Sequence, residues 1–92
     1  GWDDMAVLCA RTLKILEKEY MDETLTLQSV SERLHVSPNY LSANMKKYAG
    51  DTFMNLLIKK RMEVAHALLT TSSLKIYEVA RLFRPALFQL LL

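Results

Sequence analysis

A face of small polar side chains runs along the segment from residue 38 to residue 48. When residues are placed at steps of 100° around a helix, Ser42, Ala43 and Lys46 fall within about 60° of Asn39. Amide and hydroxyl groups both donate and accept hydrogen bonds. We therefore interpret these four residues, the reading face, as a candidate surface for the DNA major groove, with a solvated face of no function as the alternative.

Each polar residue of the reading face has a chemistry that suits a DNA contact. Asn39 can pair with adenine through two hydrogen bonds, and Ser42 can donate to or accept from any base. Lys46 and Lys47, near the end of the same segment, are predicted to contact phosphate groups. The hypothesis is sequence-specific binding of double-stranded DNA.

Residues that could support catalysis or hold a metal are few and scattered. His35 and His66 lie on different predicted elements, without the spacing of metal ligands. The sequence has no Ser/His/Asp, paired-carboxylate or Gly-rich phosphate motif. Cys9 is flanked by apolar residues and is interpreted as a buried, inert thiol. We expect no enzyme activity, no cofactor and no metal.

Composition favours one small all-α domain. The chain has 92 residues, of which 51% are apolar, and it has only two glycines and two prolines, few for the many turns of a β fold. Its single cysteine cannot form an internal disulfide, so a reducing compartment is expected. No signal peptide or membrane span is visible in the sequence, and we expect a cytoplasmic domain without membrane contact.

The formal net charge of +2 is unevenly distributed along the chain. Residues 1–34 carry four basic against seven acidic side chains, a net charge of −3. Residues 35–92 carry eight basic against three acidic side chains, a net charge of +5. The positive region begins just before the reading face, which favours a polyanionic partner.

Apolar side chains at helical spacing predict five helices. Ser37 is the predicted N-cap of the third helix, and Pro38 suits its first position, where a missing N–H costs nothing. Gly50 is predicted to end that helix in the left-handed conformation, and Ser73 is a candidate cap for the fifth. The predicted segments are residues 4–20, 27–34, 38–48 and 52–69, with the fifth beginning at about residue 74.

The second and third predicted helices outline a helix-turn-helix unit. The turn between them must change the chain direction sharply, and His35 is the candidate there for a positive φ. Ser31 is small enough to let the two helices approach. We interpret His35 as a turn residue and not as a ligand or catalyst.

The fourth predicted helix has a wide apolar surface. Counted from Phe53, its apolar residues cover an arc of about 240°, whereas packing on one side needs only about 100°. This helix is therefore expected to have neighbours on two sides and to join two subdomains.

Several motifs together resemble the DNA-binding domain of AraC/XylS-type bacterial transcription regulators, over roughly residues 10–80. The motifs are Ser37-Pro38 with Tyr40-Leu41-Ser42, Lys46-Lys47 with Gly50, Phe53, Arg61-Met62 with Ala65 and Leu68-Leu69, and Ile76 with Glu78-Val79-Ala80. Part of the pattern is similar to the output domains of response regulators. The resemblance implies two helix-turn-helix units joined by a long helix, reading adjacent major-groove segments, with RNA polymerase as a further candidate partner.

The predicted site and the predicted organisation follow from the reading face and the resemblance together. The predicted DNA-binding residues are Ser37, Asn39, Tyr40, Ser42, Ala43, Lys46 and Lys47. The predicted organisation is a single DNA-binding domain at 1–92, with a first helix-turn-helix subdomain at 1–50, a linker helix at 52–70 and an incomplete second subdomain at 74–92.

Three features depart from the family pattern. Ala43 stands where a basic residue is usual, and Asn44 stands where an apolar residue is usual, which places an amide at the edge of the core. After Ala80 the family continues through a glycine-containing turn into a second recognition helix, but this chain continues as "RLFRPALFQLLL". The second unit is therefore expected to be truncated or altered.

Residues 82–92 are strongly apolar and are predicted to pack on the fourth helix or to pair two chains as a homodimer, without reading DNA. Pro85 would either begin a new turn or break the fifth helix. The large apolar residues of this tail are Leu82, Phe83, Leu87, Phe88, Leu90, Leu91 and Leu92. Together with the acidic first third, the tail favours the alternative function, a helical protein-interaction module without DNA binding.

Overall fold

The computed structural model describes the backbone of residues 2–88 and the side chains of residues 4–83. Within the described part the chain is all-α, as predicted, and contains no β-strand. The helices are α1 (Trp2–Glu19), α2 (Leu27–Arg33), α3 (Pro38–Tyr48), α4 (Phe53–Thr71) and α5 (Ile76–Phe88).

Local chemistry accounts for the ends of the short helices. The Thr26 hydroxyl accepts a bond of 3.0 Å from the backbone N–H of Ser29, whose own hydroxyl accepts one of 2.9 Å from the backbone N–H of Thr26. This reciprocal pair is a capping box at the start of α2. Ser37 caps α3 ahead of Pro38, and Gly50 follows α3 with a φ of 79°. Both predictions for the ends of α3 are confirmed.

Side chains from α1 to α4 form one hydrophobic core. Leu41 and Met45 of α3 are fully buried in it, and so is Leu57 of α4. Cys9 of α1 is buried as predicted, and burial raises the pKa of its thiol. The buried members of the core are Cys9, Leu16, Leu25, Val30, Leu41, Met45, Phe53 and Leu57.

The wide apolar surface of α4 is only partly covered. Its first turns pack on the core through Phe53 and Leu57, and the helix also contacts α5. The expectation of neighbours on two sides is therefore met. Met62 and Leu69 are nevertheless 42% and 40% exposed, so part of the predicted arc faces solvent.

Helix α5 continues past the point where the family pattern expects a turn. Its backbone is helical from Ile76 through Ala80 and Pro85 to Phe88, so Pro85 does not break it. Val79 and Phe83 are buried, whereas Leu82 is 51% exposed. The side chains of the tail from Leu87 onward lie outside the described residues.

The candidate cap for α5 was wrong. The backbone N–H of Lys75 donates to the carboxylate of Glu78 at 3.1 Å, and the Lys75 carbonyl accepts from the backbone N–H of Val79 at 3.0 Å. The helix therefore begins beyond Ser73, which lies in the connection.

In the portion of the chain that the structure describes, no helix combines the length and the apolar character needed to cross a bilayer.

Candidate nucleic-acid interface

Helices α2 and α3 pack together across a tight turn. His35 has a φ of 59°, the left-handed conformation predicted for it. The backbone N–H of Val36 donates to the Ser31 carbonyl at 3.0 Å, which ties the far side of the turn back to α2. Ser31 is fully buried, and its hydroxyl donates to the Gln28 carbonyl at 2.8 Å. The predicted helix-turn-helix is therefore present, with Ser31 at the close approach of the two helices.

The reading face lies on the side of α3 that points away from the core. Asn39, Ala43 and Lys46 are exposed, and Ser42 is half-buried. Among the described residues, the side chains of Asn39, Ser42 and Lys46 have no hydrogen-bond or ion-pair partner. The structure thus brings the four predicted residues together as one surface, with three polar groups available to a ligand.

The remaining predicted site residues lie at the two ends of α3. The Ser37 hydroxyl accepts the backbone N–H of Tyr40 at 3.1 Å, so it already serves as the helix cap. The ring of Tyr40 is 45% exposed beside the start of the helix. Lys47 is exposed in the last turn, with its Nζ 5.4 Å from the centroid of the Tyr48 ring. Cations at this end of a helix also favour its dipole, which is a structural role independent of any ligand.

Asn44 is a residue whose position was predicted only in part. Its side chain is fully buried and not at the edge of the core, and its Nδ2 donates to the Met5 carbonyl at 2.8 Å. Its Oδ1 is also buried, and none of the described residues donates a hydrogen bond to it. The amide therefore connects α3 to the first turns of α1, and burial of its second polar atom carries a cost in stability.

Arg61 is a supporting residue whose role the sequence did not reveal. Its side chain is fully buried, its Nε donates to the Tyr20 carbonyl at 2.6 Å and its Nη2 to the Asp22 carbonyl at 3.2 Å. Burial lowers the pKa of this guanidinium, and the nearby Asp22 carboxylate partly opposes that shift. Because Arg61 follows Leu57 at a spacing of four, its inward position could have been inferred from the helical phase.

The acidic group closest in sequence to the end of α3 is already engaged. The Asp51 carboxylate accepts from the backbone N–H of Thr52 at 2.7 Å and from the Asn55 amide at 2.9 Å. The hydrogen bond from Asn55 lowers the pKa of Asp51, with the Thr52 bond as the next cause. Over the described residues there is no cluster of His, Cys, Asp and Glu that could hold a metal ion.

Two solved structures are similar to this chain over most of its length. The C-terminal domain of AraT, a response regulator from Geobacillus stearothermophilus, is 36% identical with a TM-score of 0.75, over 86% of this chain and 75% of that one. The C-terminal domain of the two-component response regulator yesN from Fusobacterium nucleatum subsp. nucleatum ATCC 25586 is 42% identical with a TM-score of 0.74, over 80% of this chain and 76% of that one.

Two curated relatives match a similar stretch. The uncharacterized HTH-type transcriptional regulator YijO of Escherichia coli (strain K12) is 39% identical over 68% of this chain, and YtdP of Bacillus subtilis (strain 168) is 32% identical over 74% of it. The match spans 24% of the length of YijO and 9% of the length of YtdP. No protein-family profile matches the chain.

The helix-turn-helix geometry, the motifs along α3 and α4, and the likeness to response-regulator C-terminal domains agree with one another. The chain belongs to the AraC/XylS-type helix-turn-helix transcription regulators and is one of their DNA-binding domains.

Proposed function

We propose that this domain binds double-stranded DNA sequence-specifically, by inserting α3 into the major groove, and so regulates transcription. The observation that carries the proposal is the exposed reading face, whose polar side chains have no partner in the described structure. A major groove is wide enough for one helix and presents a distinct set of donors and acceptors at each base pair. The HTH-type regulators and response regulators to which the chain is similar support the same function.

The predicted site residues take different roles in this proposal. Asn39 reads a base, for which adenine is the best match. Ser42 is half-buried and therefore contacts only a base that comes close to the helix surface. Lys46 and Lys47 contact phosphate, and Tyr40 packs against the backbone beside the groove. Ser37 supports the site as the cap of α3, and Ala43 permits close approach without adding a contact of its own.

Specific binding by this domain alone should be weak. One helix-turn-helix with roughly four phosphate contacts should give a log–log slope of affinity against salt of about −4. We propose that regulation needs a second unit or a second copy, since the chain continues as one helix where a second turn is expected.

Selection from random double-stranded DNA, followed by fluorescence anisotropy at several salt concentrations, tests the proposed function. We expect one enriched site, bound more tightly than scrambled DNA, with a slope of about −4. Failure to enrich any sequence, together with affinity independent of salt, would contradict DNA reading.

The alternative function is a helical protein-interaction module. It is favoured by exposed apolar side chains on α5, where Ile76 is 75%, Tyr77 61% and Leu82 51% exposed. A stable complex insensitive to salt would identify this function. Pairing of two chains through α5 and the apolar tail, contact with RNA polymerase, the division into two subdomains and the absence of catalysis remain proposals.

A further inference from the structure

A groove beside α1 collects basic side chains that are far apart in the sequence. This open groove, which we call the α1 groove, has a volume of about 410 Å³. It is lined by Arg11, Lys14, Ile15, Lys18, Glu19, Arg33 and Leu34. All four basic residues of the first 34 are among them. The segment that is acidic by sequence thus presents a basic surface in three dimensions.

Three of these cations are available for a partner. Arg33 is paired with Glu19, whose carboxylate accepts its two Nη groups at 2.8 and 2.9 Å. Arg11, Lys14 and Lys18 are exposed, and within the described residues they have no hydrogen bond or ion pair. Their spacing of three and four residues places them on one side of α1, along about 10 Å of the helix.

Apolar side chains form the floor of the groove. Ile15 and Leu34 are half-buried and pack against the hydrophobic core. A neighbouring hollow of about 310 Å³ shares Arg11 and extends the floor along α1 through Leu8 and Val36, as far as Val7, which is 50% exposed. Asp4 and Tyr40 also line this hollow, which therefore reaches from α1 to the start of α3. The surface therefore combines a basic rim with an apolar base.

We propose that the α1 groove binds an acidic amphipathic helix of a protein partner. Carboxylates at spacings of three and four would meet Arg11, Lys14 and Lys18, while apolar residues of the same helix would cover Ile15 and Leu34. A DNA backbone would satisfy the charges but would leave the apolar floor without a matching surface. The proposal goes beyond DNA binding and does not depend on it.

A labelled 16-residue helical peptide, with leucines along one face and glutamates beside them, is the probe. Two control peptides carry glutamine in place of glutamate, or serine in place of leucine. Fluorescence anisotropy measures the affinity of the complete 92-residue chain for each peptide and for a duplex DNA. The salt concentration is near 0.15 M, where charges more than about 8 Å apart are largely screened. The groove variant is Lys14→Gln/Lys18→Gln and the matched variant is Lys46→Gln/Lys47→Gln; circular dichroism checks that both are folded.

We expect each double variant to weaken the binding of a different partner. Lys14→Gln/Lys18→Gln should lower the affinity for the acidic peptide roughly three- to twentyfold, since each exposed ion pair adds only a modest factor. The same variant should change the affinity for DNA by less than about twofold. Lys46→Gln/Lys47→Gln should lower the affinity for DNA and leave the affinity for the peptide unchanged. The proposal would be overturned if either control peptide bound as tightly as the acidic peptide. It would also be overturned if the groove variant lost affinity for DNA and kept its affinity for the peptide, a result that would assign the groove to phosphate binding.

Discussion

Asn39, Ser42 and Lys46 are polar side chains of α3 that neither cap a helix nor bond to another described residue. A polar group that enters a groove loses its bonds to water, and this cost is offset only by a correctly placed partner. Unpaired side chains on a rigid helix therefore discriminate between ligands. The neighbouring Ser37 hydroxyl already accepts from the backbone N–H of Tyr40, so only its O–H donor and one lone pair are left for a ligand.

Lys46 is predicted to contact phosphate, so Lys46→Gln should weaken binding to all DNA sequences about equally. The salt slope should become shallower by about 0.9, because one fewer counterion is released. Lys59→Gln, which removes an exposed charge from α4, is the matched control and should leave the slope unchanged. Anisotropy titrations over a range of salt concentrations measure both. Loss of affinity for one sequence only would assign Lys46 to a base.

Arg61 satisfies two backbone carbonyls between α1 and α2, and Arg61→Met would leave both without this donor. We expect a loss of about 1–3 kcal/mol in the free energy of unfolding, since the Tyr20 carbonyl would lose its side-chain donor. The Asp22 carbonyl would still accept from the backbone N–H of Leu25 at 3.1 Å. Lys59→Met, at an exposed position of the same helix, should change stability by less than about 0.5 kcal/mol. Urea unfolding followed by circular dichroism compares them. Similar midpoints for the two variants would show that the buried guanidinium has no net stabilising role.

At the scale of the element, the ends of α3 could be predicted because their causes are local. A serine cap, a proline at the first position and a glycine after the last turn each act within a few residues. The partners of Arg61 and Asn44 could not be predicted this way. Both side chains bond to carbonyls about forty residues away in the chain, so their roles depend on the packing of α1 against α3 and α4.

The turn between α2 and α3 depends on the left-handed conformation of His35. His35→Gly should change the free energy of unfolding by less than about 1 kcal/mol, because relief of backbone strain is offset by greater entropy of the unfolded chain. His35→Val should destabilise by about 1–3 kcal/mol, since a β-branched residue is strained at positive φ. Thermal unfolding of the two variants makes the comparison. A valine variant as stable as the glycine variant would show that the turn adopts another backbone.

At the scale of the whole molecule, the sequence and the structure distribute charge differently. The net charge of −3 over residues 1–34 predicts an acidic first third, yet its four basic side chains line one groove. Summing charges along the chain cannot reveal this, because the sum does not show which side chains of α1 and α2 share one surface. Glu19 lies in the same groove, where it is paired with Arg33. The coverage of α4 is a similar case: the sequence shows which residues of the helix are apolar, but only the packing of α5 shows that Met62 and Leu69 stay exposed.

The acid stability of the domain should reflect three carboxylates with lowered pKa values. Hydrogen bonds from Arg33, Thr24 and Asn55 lower the pKa of Glu19, Asp22 and Asp51 respectively. Their stabilisation is complete above the usual values of 4.5 for glutamate and 3.8 for aspartate, and it is lost as pH falls through the lower folded values. The urea concentration at the midpoint of unfolding should therefore decrease as the pH is lowered below about 4.

Glu19→Gln removes one of these three groups and should flatten the acid limb of that curve. Glu63→Gln, at an exposed position of α4, is the control and should leave the limb unchanged. An acid limb as steep in the Glu19 variant as in the parent would show that the Arg33 pair does not contribute.

The most direct test of DNA reading by α3 compares the parent chain with Asn39→Ala on the selected DNA site and on each single-base-pair variant of it. We predict that Asn39→Ala loses about 1–3 kcal/mol on the selected site and no longer distinguishes the bases at one position, while discrimination elsewhere is kept. The parent should keep its preference at that position under the same salt conditions. Equal affinity of Asn39→Ala and the parent for the selected site, with an unchanged base preference at every position, would contradict the assignment of α3 as the reading helix.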